Sequence, residues 1–454
     1  MSEKFKKIEY DTPDFVFADA NNNTKVNQVM VADIVLSGTR YFNTLSSLAG
    51  FFYNGQYWEM FKTRSEAFTF LKAKISDVLG EYVSARLIKD ILELALSRAL
   101  RDDRRHVFET KPSLVSFKNT AVDGDTMMFI PNSPDLYILG GFDFEIKDDL
   151  NVGKTLSLFT ETLGENAPFM IEFFGSMFHR DYRPFQYAVI ITGQAGAGKS
   201  YLVELMRAFI GKKMTTSLSL EQIAKDKFMT AEMYGSYANI KSDLKNDFIP
   251  DFETINNLTG QDSLQVQRKG ENSFSFTNHA KLLFTANEAP AIKPNAGIRR
   301  RMKIVVTKSA PHISKSDDDD NYTEFMKDRG SFVYYAMSMF AEAKKNRKMS
   351  LTQDIEDATA EWFLKSDDIE NWANEHLVAD SNSRPRSNWI YNELKYYWEE
   401  NGMEKVPSSK NVMSRLRELG YEVKKAGATF PNNKDANDNG QVAQRMIGVK
   451  YLDK

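Results

Sequence analysis

Residues Gly193-Gln194-Ala195-Gly196-Ala197-Gly198-Lys199-Ser200, followed by Tyr201, have the spacing GxxxxGK[ST]. Such a run can do specific chemistry. Its glycines let the backbone turn so that N–H groups face phosphate oxygens. The start of a following helix adds a dipole that favours negative charge. Lys199 has the reach for β- and γ-phosphates, and Ser200 offers a hydroxyl to Mg²⁺. All nine residues, from Gly193 to Tyr201, are therefore expected to line a nucleotide. The loop alone says that a nucleotide binds, not what its energy is used for.

Three downstream features narrow the class. Tyr237-Ala238-Asn239-Ile240-Lys241-Ser242-Asp243-Leu244 reads as a short strand ending in a carboxylate. Beside a phosphate loop, Asp243 would join Ser200 at Mg²⁺ and orient the attacking water, the Walker B role. Lys281 to Ala286 is an apolar strand closing on Asn287, whose amide suits the lytic water or a γ-phosphate, and equally a turn before Glu288-Ala289-Pro290. Arg299-Arg300-Arg301 precedes a strand from Met302 to Val306. Adjacent arginines suit a solvated or phosphate-contacting face, and in a ring ATPase one of them reaches the neighbouring subunit's nucleotide.

These groups need a scaffold that brings distant segments together. A buried strand, Tyr187 to Ile191, enters the loop and an amphipathic helix, Tyr201 to Ile210, leaves it. The next hundred or so residues alternate strands with helices, the pattern of a parallel sheet covered on both faces. Upstream, a polar, Asn-rich tail runs to about Lys25. Phe51 to Trp58 carries Asn54-Gly55 between aromatic runs, a type I′ hairpin signal. Ser65 to Arg101 is helical, Ser113 to Ile138 returns to short strands, and Asn151 to Phe178 is helical again. The acidic run Asp317 to Asp320 reads as a solvated loop. The expected divisions are an α/β domain over residues 1–148, the ATPase over 149–365 and a C-terminal domain over 366–454.

Two segments have the chemistry to hold DNA. Val266 to Phe276 alternates apolar and polar residues around a basic tip, Arg268-Lys269, which could grip successive phosphates without reading bases. Near the C-terminus, Ser409 to Gly420 reads as a helix with Val412, Leu416 and Leu419 on one stripe. Lys410, Asn411, Ser414, Arg415 and Arg417 lie away from that stripe. With Tyr421–Lys425 and Arg445–Tyr451 as wing strands, this suggests a winged helix for duplex DNA or for protein docking. From Lys405 onward ten Lys/Arg face five Asp/Glu, a local +5 in a chain of formal charge −3.

Composition bounds the rest. The chain has 454 residues, 42% hydrophobic and 27% charged, ample for two or three globular domains. Cysteine is absent, which excludes disulfides and thiolate zinc sites and fits a cytoplasmic protein. The five histidines have no ligand spacing, so no structural metal is expected. The start MSEKFKKIEYDTPDF is no signal peptide, no run suits a membrane span, and no membrane partner is expected.

Gly193 to Val306 resembles the superfamily 3 helicase core of phage and plasmid primase-helicases, the poxvirus-type group. Ser219-Leu220-Glu221-Gln222-Ile223-Ala224, Leu258-Thr259-Gly260 with Asp262, Val266-Gln267-Arg268-Lys269 and Lys281 to Glu288 follow its pattern in order. Val115 to Asn119 and Asn132-Ser133-Pro134 resemble its pre-helicase domain, so the likeness runs from about Val29 to Lys365. It is nearest to the short forms that initiate replication of satellite phages and staphylococcal-type pathogenicity islands. The resemblance implies an AAA+-like fold, homo-hexameric rings, ATP and Mg²⁺ at subunit interfaces, and 3′-5′ translocation on single-stranded DNA. Origin duplex and host replication proteins would be further partners. Asp243 matches the Walker B acid, Asn287 the sensor, and Arg300 or Arg301 the arginine finger, with Arg301 preferred because it directly precedes the strand. The chain departs from the family in two places: Ser242-Asp243 stands where many members have two acids, and the N-terminal region leaves no room for a primase. The competing reading is an ATP-switched origin-binding factor that loads a host helicase without unwinding DNA itself.

Overall fold

The computed structural model describes residues 13–44, 47–100, 108–149, 152–244, 253–267, 273–290, 292, 296–308, 318–400, 406–427 and 442–452. Its first part contains β1 (Val16–Ala18), β2 (Thr24–Val26), α1 (Gln28–Thr39), β3 (Phe42–Thr44), β4 (Ser47–Tyr53), β5 (Trp58–Met60), α2 (Arg64–Leu79) and α3 (Ala85–Arg98). Side chains of Asn27, Thr63 and Ser84 each accept from a backbone N–H in the first turn of the helix that follows, satisfying donors the helix leaves open. The three helices bury Val31, Val35, Leu71, Ile75, Ile91 and Ala95 together. β4 pairs with β5 from Tyr53↔Trp58, so the hairpin loop holds four residues instead of the two of a type I′ turn. Asn54 Oδ1 accepts from the N–H groups of Gln56 and Tyr57, and that side-chain turn sets the longer loop.

A meander follows, β6 (Leu114–Ser116), β7 (Ala121–Asp123) and β8 (Met128–Ile130), then α4 (Gly153–Leu163) and α5 (Ala167–Ser176). The central part comprises β9 (Ala188–Thr192), α6 (Lys199–Ile210), β10 (Thr215–Thr216), α7 (Leu220–Lys225), α8 (Lys227–Thr230), β11 (Ala238–Lys241) and α9 (Glu253–Gly260). It continues with β12 (Ser263–Val266), β13 (Phe274–Thr277), β14 (Lys281–Thr285), α10 (Ala296–Arg301) and β15 (Met302–Val306). Five of these strands form one sheet in the order β10-β11-β14-β9-β15, with every pairing parallel. Alternate side chains leave opposite faces of each strand. Val189, Ile191, Leu283 and Val305 enter one core with α5, α6 and α11 (Asp318–Asn346), while Ile190, Leu282, Phe284 and Ile304 enter another with α12 (Gln353–Ser366). Burial on both faces is why the centres of β9, β14 and β15 are apolar. The chain is thus mixed α/β with a five-stranded parallel sheet. Three of the four aspartates expected in a loop, Asp318 to Asp320, instead fall within the first turn of α11.

The last part runs α13 (Asp368–His376), β16 (Leu377–Ala379), α14 (Ser387–Glu400), α15 (Ser409–Glu418), β17 (Glu422–Ala426), β18 (Ala443–Ile447) and β19 (Val449–Tyr451). β17 pairs with β18 and β16 with β19, both antiparallel. Trp372, Ile390, Leu394, Val412, Leu416 and Met446 form its core. No described helix is long and apolar enough to cross a membrane.

Candidate functional site

The glycine-rich loop joins the carboxyl end of β9 to α6. Gly193, Gly196 and Gly198 have φ of +146°, +83° and +79°, values open to glycine and costly for most other residues. At Gly193 a Cβ would also fall 2.1 Å from Thr307 Oγ1, just beyond β15. Glycine is therefore required there by backbone shape and by packing alike. Lys199 opens α6 and is 5% exposed. Its Nζ donates to Gly193 O at 2.7 Å, Gln194 O at 2.8 Å and Asn287 Oδ1 at 3.2 Å. Burial lowers the Lys199 pKa, and the nearby Asp243 carboxylate opposes that shift.

Asn287 stands two residues beyond β14, the strand inserted between β9 and β11. Asp243 stands two residues beyond β11. It is exposed, with a φ of +54° that an aspartate tolerates better than most non-glycine residues. Thr285 Oγ1 accepts from the Asp243 N–H at 3.0 Å and Thr285 O accepts from the Leu244 N–H at 2.8 Å. Thr285 is fully buried in β14 and holds the acid's turn from behind. Nothing in the apolar run Leu282-Leu283-Phe284-Thr285 distinguished it. Ser242 donates to Glu204 Oε1 of α6 at 3.1 Å, and Arg207 Nη1 donates to both oxygens of Glu204 at 2.7 and 2.6 Å. A carboxylate thus lies beside Ser242, but an arginine already engages it. Ser200 is exposed in the first turn of α6. Tyr201 differs from expectation on one point: its ring packs edge-on against Phe325 of α11, centroids 6.2 Å apart, so it offers the loop its backbone and not its side chain.

The three arginines separate by environment. Arg299 Nη2 bonds Glu370 Oε1 of α13 at 3.0 Å. Arg301 is 8% exposed, and its Nη1 donates to Asn256 Oδ1 of α9 and to Gly297 O, at 3.0 and 3.2 Å. Burial and the like charge of Arg300 weaken its protonation, while Asp262 supports it. Arg300 is exposed. The preference for Arg301 as the outward-reaching arginine is therefore corrected: its guanidinium is turned back onto its own chain.

β12 and β13 form the expected antiparallel hairpin, paired up to Val266↔Phe274; its tip, Arg268-Lys269, lies outside the described residues. On α15, Lys410, Asn411, Ser414 and Arg417 are exposed. Arg415 is not available as expected. Its Nε and Nη2 bond Asp367 Oδ2 at 2.7 and 2.6 Å, Nη2 also meets Glu370 Oε2 at 3.3 Å, and Nη1 meets Glu418 at 3.0 Å. Three carboxylates take up its donors, so it holds α15 to α13 instead of facing a groove. Position along a helix could not reveal that.

Residues 191–301, which span the loop, Asp243, Asn287 and all three arginines, match a family of unknown function (DUF5906). No curated protein matches the chain. Solved structures of the NrS-1 C-terminal region are similar: three apo forms share 12%, 11% and 12% identity at TM-scores of 0.46, 0.47 and 0.48, each alignment covering 93% of this chain and 99% of theirs. The chain is therefore weakly similar in outline to that region, and the reading of the site rests on its own residues.

Proposed function

We propose that this chain is an ATP-hydrolysing DNA helicase of superfamily 3 type that initiates replication as a homo-hexameric ring. The observation that carries the reading is the convergence at one edge of the sheet. The phosphate-loop lysine touches the amide beyond β14, and a buried threonine of the same strand anchors the acid beyond β11. A sheet with the amide-bearing strand inserted between the loop strand and the acid strand suits an AAA+-like core, and ligands of parallel sheets gather at carboxyl edges.

The residues fit ATP with Mg²⁺. Three positive-φ glycines shape a loop whose backbone N–H groups could turn to phosphates, and Lys199 would exchange carbonyl partners for phosphate oxygens. Ser200 and Asp243 would hold Mg²⁺, which supplies charge neutralisation. With Glu204 engaged by Arg207, Asp243 carries the acid's role alone. Asn287 would orient the attacking water, and Arg300 would reach the neighbour's nucleotide. The expected divisions at 148 and 365 give this ATPase a pre-helicase domain and a winged helix. The order α13, β16, α14, α15, β17, β18, β19 supports the latter. Lys410, Ser414 and Arg417 then share one face at helical spacing, with Asn411 beside them, for origin duplex.

The test is a strand-displacement assay with purified protein alone on a forked substrate. Unwinding that needs ATP and is lost in Lys199→Ala is expected. ATP hydrolysis without unwinding would favour a factor that loads another helicase, and no hydrolysis would refute the nucleotide site.

A further inference from the structure

A cavity of about 550 Å³ lies far from the loop in sequence, between α1, β3, β5 and the turn at Pro134. Tyr41, Phe42 and Trp58 form its floor and are 3%, 7% and 4% exposed. Tyr137 stacks on Trp58, ring centroids 5.7 Å apart and planes 6° from parallel, and leaves part of itself open to the cavity. The polar tips of the floor are already satisfied: Tyr41 Oη donates to Ala49 O and Trp58 Nε1 to Pro134 O. The aromatic surface open to the cavity is therefore that of Tyr137, held over this buried floor.

Charge is confined to the rim. Asp33 and Arg98 neutralise each other through paired contacts of 2.7 and 2.9 Å. Arg40 and Asp135 are exposed on the same rim, and among the described residues neither side chain makes a hydrogen bond or ion pair. Two lining residues, Arg40 and Tyr137, hold φ of +53° and +49°. Such backbone costs on the order of 1 kcal/mol each and persists where packing over-determines it, often at ligand sites.

We propose that this cavity binds one unstacked nucleotide whose base carries an exocyclic amine. The base lies against the Tyr137 ring, Arg40 meets its phosphate, and Asp135 accepts from the amine. Cytosine, adenine and guanine fit this chemistry, and thymine does not. The volume is within the range of small-ligand pockets. The assignment does not depend on ATP hydrolysis at the loop.

The nucleotide comes from a DNA strand or from the free pool, and two probes separate these sources. The full chain is irradiated with a 12-mer containing 5-iododeoxycytidine and, separately, with 5-iodo-dCTP, and cross-linked peptides are mapped by mass spectrometry. Mapping keeps this cavity distinct from the phosphate loop, so failure at one site leaves the other readable. Adduct at Tyr137 is expected, with yield reduced about fivefold in Arg40→Gln and in Asp135→Asn. Both substitutions are at exposed side chains and leave the core intact. Adduct from the 12-mer alone assigns a DNA strand, and adduct from 5-iodo-dCTP assigns a free nucleotide. No adduct at Tyr137 from either probe, or yields unchanged in both variants, overturns the proposal.

Discussion

Two buried lysines sit at opposite ends of one sheet and make nearly the same bonds. Lys199, at the carboxyl edge, donates to two backbone carbonyls and to Asn287. Lys281, which starts β14 at the amino edge, donates to His179 O at 2.6 Å and His279 O at 3.0 Å and sits 4.8 Å from the centre of the Tyr182 ring. They are 5% and 2% exposed. What differs is the surroundings. Lys199 faces a glycine loop, an exposed hydroxyl and an exposed carboxylate. Lys281 is sealed among Tyr182, Phe340, His179 and His279, and burial pushes it down to about 7. A cation becomes chemically useful through what can still approach it, more than through the bonds it already makes.

The largest effect should separate these two residues directly. Lys199→Ala should cut ATP hydrolysis by about a thousandfold or more, since it removes the cation meeting the transferring phosphate. Lys281→Met should keep hydrolysis per folded molecule near wild type. Comparable losses in steady-state ATPase assays would erase the distinction.

The same contrast divides the arginines. Arg300→Ala should cost about a thousandfold in hydrolysis, with nucleotide binding retained. Mixing Arg300→Ala with Lys199→Ala subunits should return activity at interfaces that combine the intact halves. Arg301→Ala should mainly lower stability, by about 1–3 kcal/mol, because it strands the buried contacts to Asn256 and Gly297. If mixed rings of Arg301→Ala recover activity and those of Arg300→Ala do not, the two assignments exchange.

Acid probes the sealed edge. His179 is fully buried, and burial together with Lys344 holds it down to about 4 against the partial support of Asp125. His279 is lowered in the same way, by burial first and then Arg180. The folded value lies below the unfolded one, so the neutral form stabilises the fold above pH 6.5, and that contribution disappears as pH falls from about 6.5 towards 4. The loss at His179 is on the order of 3 kcal/mol. Denaturant melts from pH 7.5 to 4.5 should show the decline, and a flat profile would contradict it.

The smallest contrast is on α15. Arg415→Ala should destabilise the C-terminal part by about 2–3 kcal/mol, leaving Asp367 buried without its arginine while Glu370 keeps Arg299, and should weaken all duplexes alike. Lys410→Ala should cost roughly 1 kcal/mol of duplex affinity at fixed salt with an unchanged melt. Competition binding beside thermal melts tests both, and selective loss of one sequence in Arg415→Ala would return that residue to base reading.

Much of the central part was legible because its signals are local. Loop spacing, apolar strands and hairpin alternation each occupy consecutive residues, and strand-loop-helix, the parallel sheet and the β12–β13 pair follow from them. The Asn54-Gly55 turn failed because a side-chain turn by Asn54 competes with the two-residue geometry the dipeptide usually marks. Thr285 and Thr307 were missed because a hydroxyl at a strand end has no pattern of its own.

The sequence by itself determined which residue types are available for chemistry: a phosphate loop with its lysine and hydroxyl, an acid and an amide at strand ends, arginines before a strand, and a basic helix. Covalent spacing and backbone preference suffice for these. Tertiary structure alone decided which cations remain open. Arg301 and Arg415 are spent on Asn256 and on Asp367 with Glu370, partners 45, 48 and 45 positions away in the chain. Arg300 and Lys410 are left exposed. Such pairing depends on through-space distances that packing sets, which no local pattern of residues encodes.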